Sequence, residues 1–225
     1  METSISISEI IRIASNFSVL VPFFFYVINL KGSSKAIHAT GALIIISGIA
    51  DLIGFISSSQ HGLTATIFNI QDILQFTLLS WLFLELISLR KLRIITLRII
   101  LHSGIAVYIV AIITVSSFYQ NFLENQSLMW TISGAIIIIF SIAYFFYLLS
   151  ELPANNILTY PPAWINAGVF FYFSFSLFLF VISDYIFLKI EREIGLLIWS
   201  FHNVNNIIKN ILFGIGLSLL YKGKS

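Results

Sequence analysis

A chain of 225 residues that is 58% hydrophobic, only 10% charged and carries a mean hydropathy of +0.97 cannot cover a water-facing surface, which takes about a quarter charged residues. Its net charge of +2 excludes a nucleic-acid protein, whose phosphate contacts demand a dense basic patch. The absence of cysteine removes disulfides, thiolate nucleophiles, iron–sulfur centres and cysteine-based zinc sites together.

The composition is that of an integral membrane protein, and the expected fold class is all-α. At the N-terminus, METSISISEIIRIASN lacks the positive n-region and small-residue cleavage site of a signal peptide, and its apolar part leads directly into a first span. Crossing a bilayer takes about 20 mostly apolar residues at about 1.5 Å rise each. Seven stretches qualify, at roughly residues 9–30, 37–58, 63–88, 94–117, 128–150, 164–188 and 195–221. The first carries Glu9, Arg12 and Asn16 at its entry, and the second carries Asp51. His61 falls in the connection before the third, which concentrates Asn69, Gln71, Asp72 and Gln75 and has Glu85 near its end. The fourth has Arg98 and His102 near its start, and the fifth is apolar apart from hydroxyls. The sixth follows ELPANNILTYPPA and ends at Asp184. The seventh holds His202, Asn203, Asn205, Asn206 and, at mid-span, Lys209. The connections, such as KGSSKA, SSQHG, LRKLR, FYQNFLENQS and KIERE, are too short to fold alone, so residues 1–225 read as a single seven-helix transmembrane domain without an evident internal repeat.

Orientation follows from the basic residues. One side collects 3 of them (Arg12, Lys189, Arg192) and the other 8 (Lys31, Lys35, Arg90, Lys91, Arg93, Arg98, Lys222, Lys224). The excess predicts an N-terminus outside and a C-terminus in the cytoplasm of a multi-pass protein of the cell membrane. Tyr160, Trp164, Trp199 and Tyr221 suit an interfacial aromatic belt.

With that orientation the intramembrane polar groups gather in the outer half of the bundle. His202, Asn205, Asn206 and Lys209 fall on one stripe about 100° wide, and Asn69, Gln71, Asp72 and Gln75 span about 160° at 100° per residue. Unpaired polar groups facing hydrocarbon cost several kcal/mol each, so both stripes are expected to face inward. They predict a polar ligand cavity on the extracytoplasmic side, lined by spans 2, 3, 6 and 7. The ligand-binding or switch residues expected there are Asp51, Asn69, Asp72, Gln75, Asp184, His202, Asn205, Asn206 and Lys209. Lys209 needs an anion, and depth along neighbouring spans favours Asp72 over Asp51. A purely structural role, as glue between helices, is the competing expectation.

No catalytic constellation emerges, so no enzyme is expected. The histidines lack the H-E-x-x-H or H-x-x-x-H spacing of a metal site, no serine sits in G-x-S-x-G, and phosphate-cradling glycine loops are absent. Two resemblances add to this reading. WSFHNVNNIIKNILFGIGL together with YPPAWINAGVFFYFSFSLFLF resembles a group of small seven-helix bacterial membrane proteins found beside sensor histidine kinases. That likeness implies a sensory or signal-coupling role in the bacterial inner membrane and a partner such as a sensor kinase, without implying a ligand. KNILFG, with a lone lysine midway along the seventh span, resembles the region of microbial rhodopsins after their retinal lysine, which implies a retinal Schiff base on Lys209. That second likeness is confined to the last span, where Asn205 stands in the place usually held by an aspartate, and the third span has no Arg-Tyr-x-Asp-Trp motif.

The expected function is therefore an integral membrane sensor or receptor-like signalling module without a cofactor. The alternatives are a retinal photoreceptor or pump and a proton-coupled or small-solute transporter.

Overall fold

The computed structural model describes residues 6–31, 33–56, 61–87, 92–118, 127–151 and 156–222. Much of the FYQNFLENQS connection, Arg90, Lys91 and Lys224 lie outside these residues, as do the side chains of His61, Arg93, Tyr221 and Lys222.

The described residues form eight α-helices and one 3-10 turn: α1 (Ile7–Ser18), α2 (Leu20–Asn29), α3 (Lys35–Ile56), α4 (His61–Leu86), α5 (Leu92–Phe118), α6 (Ser127–Glu151), the turn Ile157–Thr159, α7 (Pro161–Lys189) and α8 (Arg192–Lys222). The seven expected spans are thus present as helices, with the first divided into α1 and α2. Pro22 explains the division: it has no N–H to give the Ser18 carbonyl, and its ring crowds that carbonyl, so the helix breaks at Val19 and restarts with Phe23 N–H on Val19 O at 3.2 Å.

Helix ends follow local chemistry. Ser6 caps α1 by accepting from Glu9 N–H, with Glu9 in the position of a capping box. Pro161 opens α7 at a position where its missing N–H costs nothing. Just before it, Asn156 Oδ1 accepts from Leu158 N–H at 2.9 Å, and Trp164 Nε1 donates to Leu158 O at 2.7 Å.

Among the described residues six stretches are long and apolar enough to cross a membrane: Ile7–Asn29, Lys35–Gly54, Thr66–Leu86, Ile95–Thr114, Ser127–Ser150 and Pro161–Lys189. α8 has 31 residues, ample for a crossing, but its amides, His202 and Lys209 dilute its hydropathy. Those groups point inward, and the outward faces of the bundle carry exposed side chains such as Leu52, Phe146, Leu149, Phe178 and Leu188.

Helices adjacent in sequence pack as neighbours, and α8 returns to close the ring against α1 and α2. α3 rests on α2 and α4, α6 on α4, α5 and α7, and α7 on α8. An aromatic core fills the α4–α5–α6 side, where Phe76 stacks on Tyr108 at 3.8 Å and Phe83 meets Phe140 edge-on at 6.0 Å. Between α6 and α7, Ser141 Oγ donates to Asn166 Oδ1 at 2.7 Å while Asn166 Nδ2 donates to Ser141 O at 3.2 Å, a buried clasp of the kind that joins helices where water is absent.

Candidate functional site

The inward face of α8 is the polar centre of the molecule. Successive residues differ by about 100° around a helix, so Asn206 and Asn210 point to one side of the inward face and His202, Asn205 and Lys209 to the other. The contacts divide the same way. Asn206 Nδ2 donates to Ser15 Oγ at 3.0 Å and Asn210 Nδ2 to Ser18 Oγ at 2.7 Å, both on α1. Asn205 Nδ2 donates to Ser176 Oγ at 3.2 Å on α7, and His202 Nε2 lies 3.4 Å from the Tyr172 hydroxyl.

Lys209 is 6% exposed. Its ammonium sits 4.5 Å from the centre of the Tyr172 ring, within the range of a cation–π contact. The carboxylate whose field acts on it is Asp51 on α3, which also takes a hydrogen bond from Asn206. Asp51 Oδ2 and His202 Nδ1 are both shut off from solvent without a hydrogen-bond partner among the described residues. An aromatic wall of Tyr172, Phe180 and Trp199 surrounds His202, with Trp199 stacked on it at 4.9 Å and 29°.

The expected pairing of Lys209 with Asp72 is corrected. Asp72, on α4, has both oxygens occupied: Tyr108 donates to Oδ2 at 2.8 Å and Ser133 to Oδ1 at 2.7 Å. It forms a second node, joining α4, α5 and α6. Depth along the bundle agreed with either aspartate; Asp72 turns toward Tyr108 and Ser133, and Asp51 is the carboxylate whose field reaches Lys209, without a direct ion pair between them among the described residues.

A void of about 10 Å³ lies beside Lys209, bounded by Ser47 on α3, Gln75 on α4, Val169 and Phe173 on α7, and Asn210 and Phe213 on α8. The elements are the four that the sequence indicated, but the space is that of one water molecule and far below that of a drug-sized ligand pocket. Asn69 is buried on α4. Asp184, near the end of α7, accepts a hydrogen bond from Ser127 at the start of α6. Among the described residues no three His, Asp or Glu side chains gather as a metal site requires.

Sequence reasoning missed Tyr172, Asn210, Ser15 and the Tyr108–Ser133 pair. Tyr172 did carry a signal: a tyrosine inside the phenylalanine-rich VFFYFSFSLFLF has a hydroxyl that must find a partner when buried. The chain matches no protein-family model, and no characterised protein or solved structure is significantly similar to it.

Proposed function

We propose that this chain is a membrane sensor or receptor-like signalling module, oriented with its N-terminus outside, whose input is read by the Lys209–Asp51–Tyr172–His202–Asn206 network. The observation that carries this reading is the concentration of buried polar groups where α1, α3, α7 and α8 meet, including a lysine and an aspartate. Intramembrane ionisable residues are expensive and mark functional sites by default. Two orphaned polar atoms leave the network open to a further proton or a small polar solute. A change at Lys209 alters what holds α8 to α7 and α3, and packed helices answer such changes by discrete shifts. A partner such as a sensor kinase would read the shift at the basic, cytoplasmic end.

Trp199, stacked on His202, gives the test. Vesicles of purified protein are scanned with pH and with small polar solutes while Trp199 emission is isolated by subtracting the Trp199→Phe variant. A sensor shows an emission change that Lys209→Met abolishes, without net movement of proton or solute across the vesicle.

Transport of that solute would replace this reading with a carrier. A visible absorption band after addition of all-trans retinal, lost in Lys209→Ala, would replace it with a photoreceptor. The position of Lys209 over an aromatic ring, within the field of the Asp51 carboxylate, is the observation that keeps the retinal alternative in the test.

A further inference from the structure

We propose that the outer face of α5 binds the headgroup of an anionic phospholipid, with the Arg98 guanidinium on the phosphate and Ile95 and Ile99 along the acyl chains. α5 is the most weakly enclosed of the membrane-crossing stretches, with 11% of its apolar window buried against 50% for α6 and α7. It turns Leu101 and Tyr108 inward. At Gly104 a Cβ would come within 2.6 Å of the Phe140 ring, so α5 lies close against α6 along that line.

Ile95, Arg98, Ile99, His102 and Ser103 fall on the opposite side at 100° per residue and form one open, outward-facing surface of this helix. Within it, His102 Nδ1 donates to the Arg98 carbonyl at 2.7 Å, which fixes the imidazole as a polar wall beside the guanidinium.

The occupant is indicated by charge and depth. Arg98 has no ion-pair partner among the described residues, and its Nε is buried without an acceptor. A guanidinium inside a membrane-crossing stretch requires a counter-charge or access to the interface. Arg98 stands three residues inside the apolar window that opens at Ile95, about 5 Å along the helix. That is shallow enough for its side chain to reach the phosphate layer. Arg90, Lys91 and Arg93 precede it in sequence, so this end of the chain carries the charge that attracts anionic lipid. Ile95 and Ile99 are 56% and 63% exposed and offer an apolar strip continuous with the guanidinium, which a lipid matches and a free anion does not.

The test measures lipids that remain with the protein purified in mild detergent, by mass spectrometry, against the lipid composition of the membrane it came from. Phosphatidylglycerol or cardiolipin is expected to be enriched over zwitterionic lipid. Arg98→Gln should reduce the enrichment about fivefold, the effect of one basic residue at an anionic surface, while Arg98→Lys retains most of it. Unchanged thermal unfolding of Arg98→Gln in the same detergent separates loss of lipid from loss of fold, and if that variant does not fold, Arg98→Lys and the wild-type enrichment still decide. Enrichment no greater than in the bulk membrane would overturn the proposal. So would displacement of the lipid by millimolar inorganic phosphate, which would mean a simple anion site, or a change of oligomeric state in Arg98→Gln, which would mean that a second copy covers this face.

Discussion

Lys209 is stabilised by a ring face and by a carboxylate on another helix, and these two supports respond differently to substitution. Lys209→Met keeps the volume against Tyr172 and removes the positive field at Asp51; with no direct ion pair between the two, the loss should be below the roughly 3 kcal/mol of a contacting buried pair that loses one member. Adding Asp51→Asn should recover most of that loss, whereas adding Asp72→Asn should not, because Asp72 is held by Tyr108 and Ser133. A thermal-unfolding double-mutant cycle in detergent checks this. Equal rescue by both aspartate variants would disprove the assignment of Asp51. Tyr108→Phe removes one donor to Asp72 and is expected to cost about 1–3 kcal/mol in the same assay, the penalty for leaving a buried acceptor short of its partner.

Among the helices, α8 carries the organisation, and it lies close against α7 at Gly168. A Cβ there would lie 2.9 Å from Phe213 Cδ1 and 3.2 Å from the Lys209 carbonyl. Gly168→Ala should therefore push α7 away from α8 at the level of Lys209, with an overpacking cost of about 1–3 kcal/mol and a changed Trp199 emission. Emission identical to wild type would show that the network does not depend on this contact.

The inward stripe of α8 was legible because helical periodicity places residues 202, 205, 206 and 209 on one face, and buried polar side chains must face other helices. The partners were not legible. Uncharged Ser15, Ser176 and Tyr172 give little signal in a chain rich in serine and aromatic residues, and sequence spacing fixes depth but not which neighbour a side chain turns toward. The break at Val19 could have been foreseen from Pro22, whose missing N–H and ring position are set by its chemistry alone.

For the molecule as a whole, hydropathy located the seven helices to within a few residues, because each must supply the length of a bilayer crossing. Their azimuthal packing comes from side-chain fit that no single span encodes. Orientation rests on the imbalance of basic residues, and the absence of cysteine makes it directly measurable. Glu191 and Ser34 are exposed at connections predicted to lie on opposite sides. A membrane-impermeant maleimide should label Glu191→Cys in intact cells and Ser34→Cys only after permeabilisation. The reverse pattern would invert the bundle and place the polar network nearer the cytoplasm.

The interruption at Val19 has a mechanical consequence. α1 is fastened to α8 through Ser15 and Ser18 by Asn206 and Asn210, while α2 is fastened to it lower down, where Asn29 Nδ2 donates to Leu217 O at 3.1 Å. Anchors on α8 thus hold the first span on both sides of the interruption at Val19. A rotation of the upper part of α8 near Lys209 would therefore load the first span unevenly, and the place that takes the load is Val19, where Pro22 has removed one helical hydrogen bond.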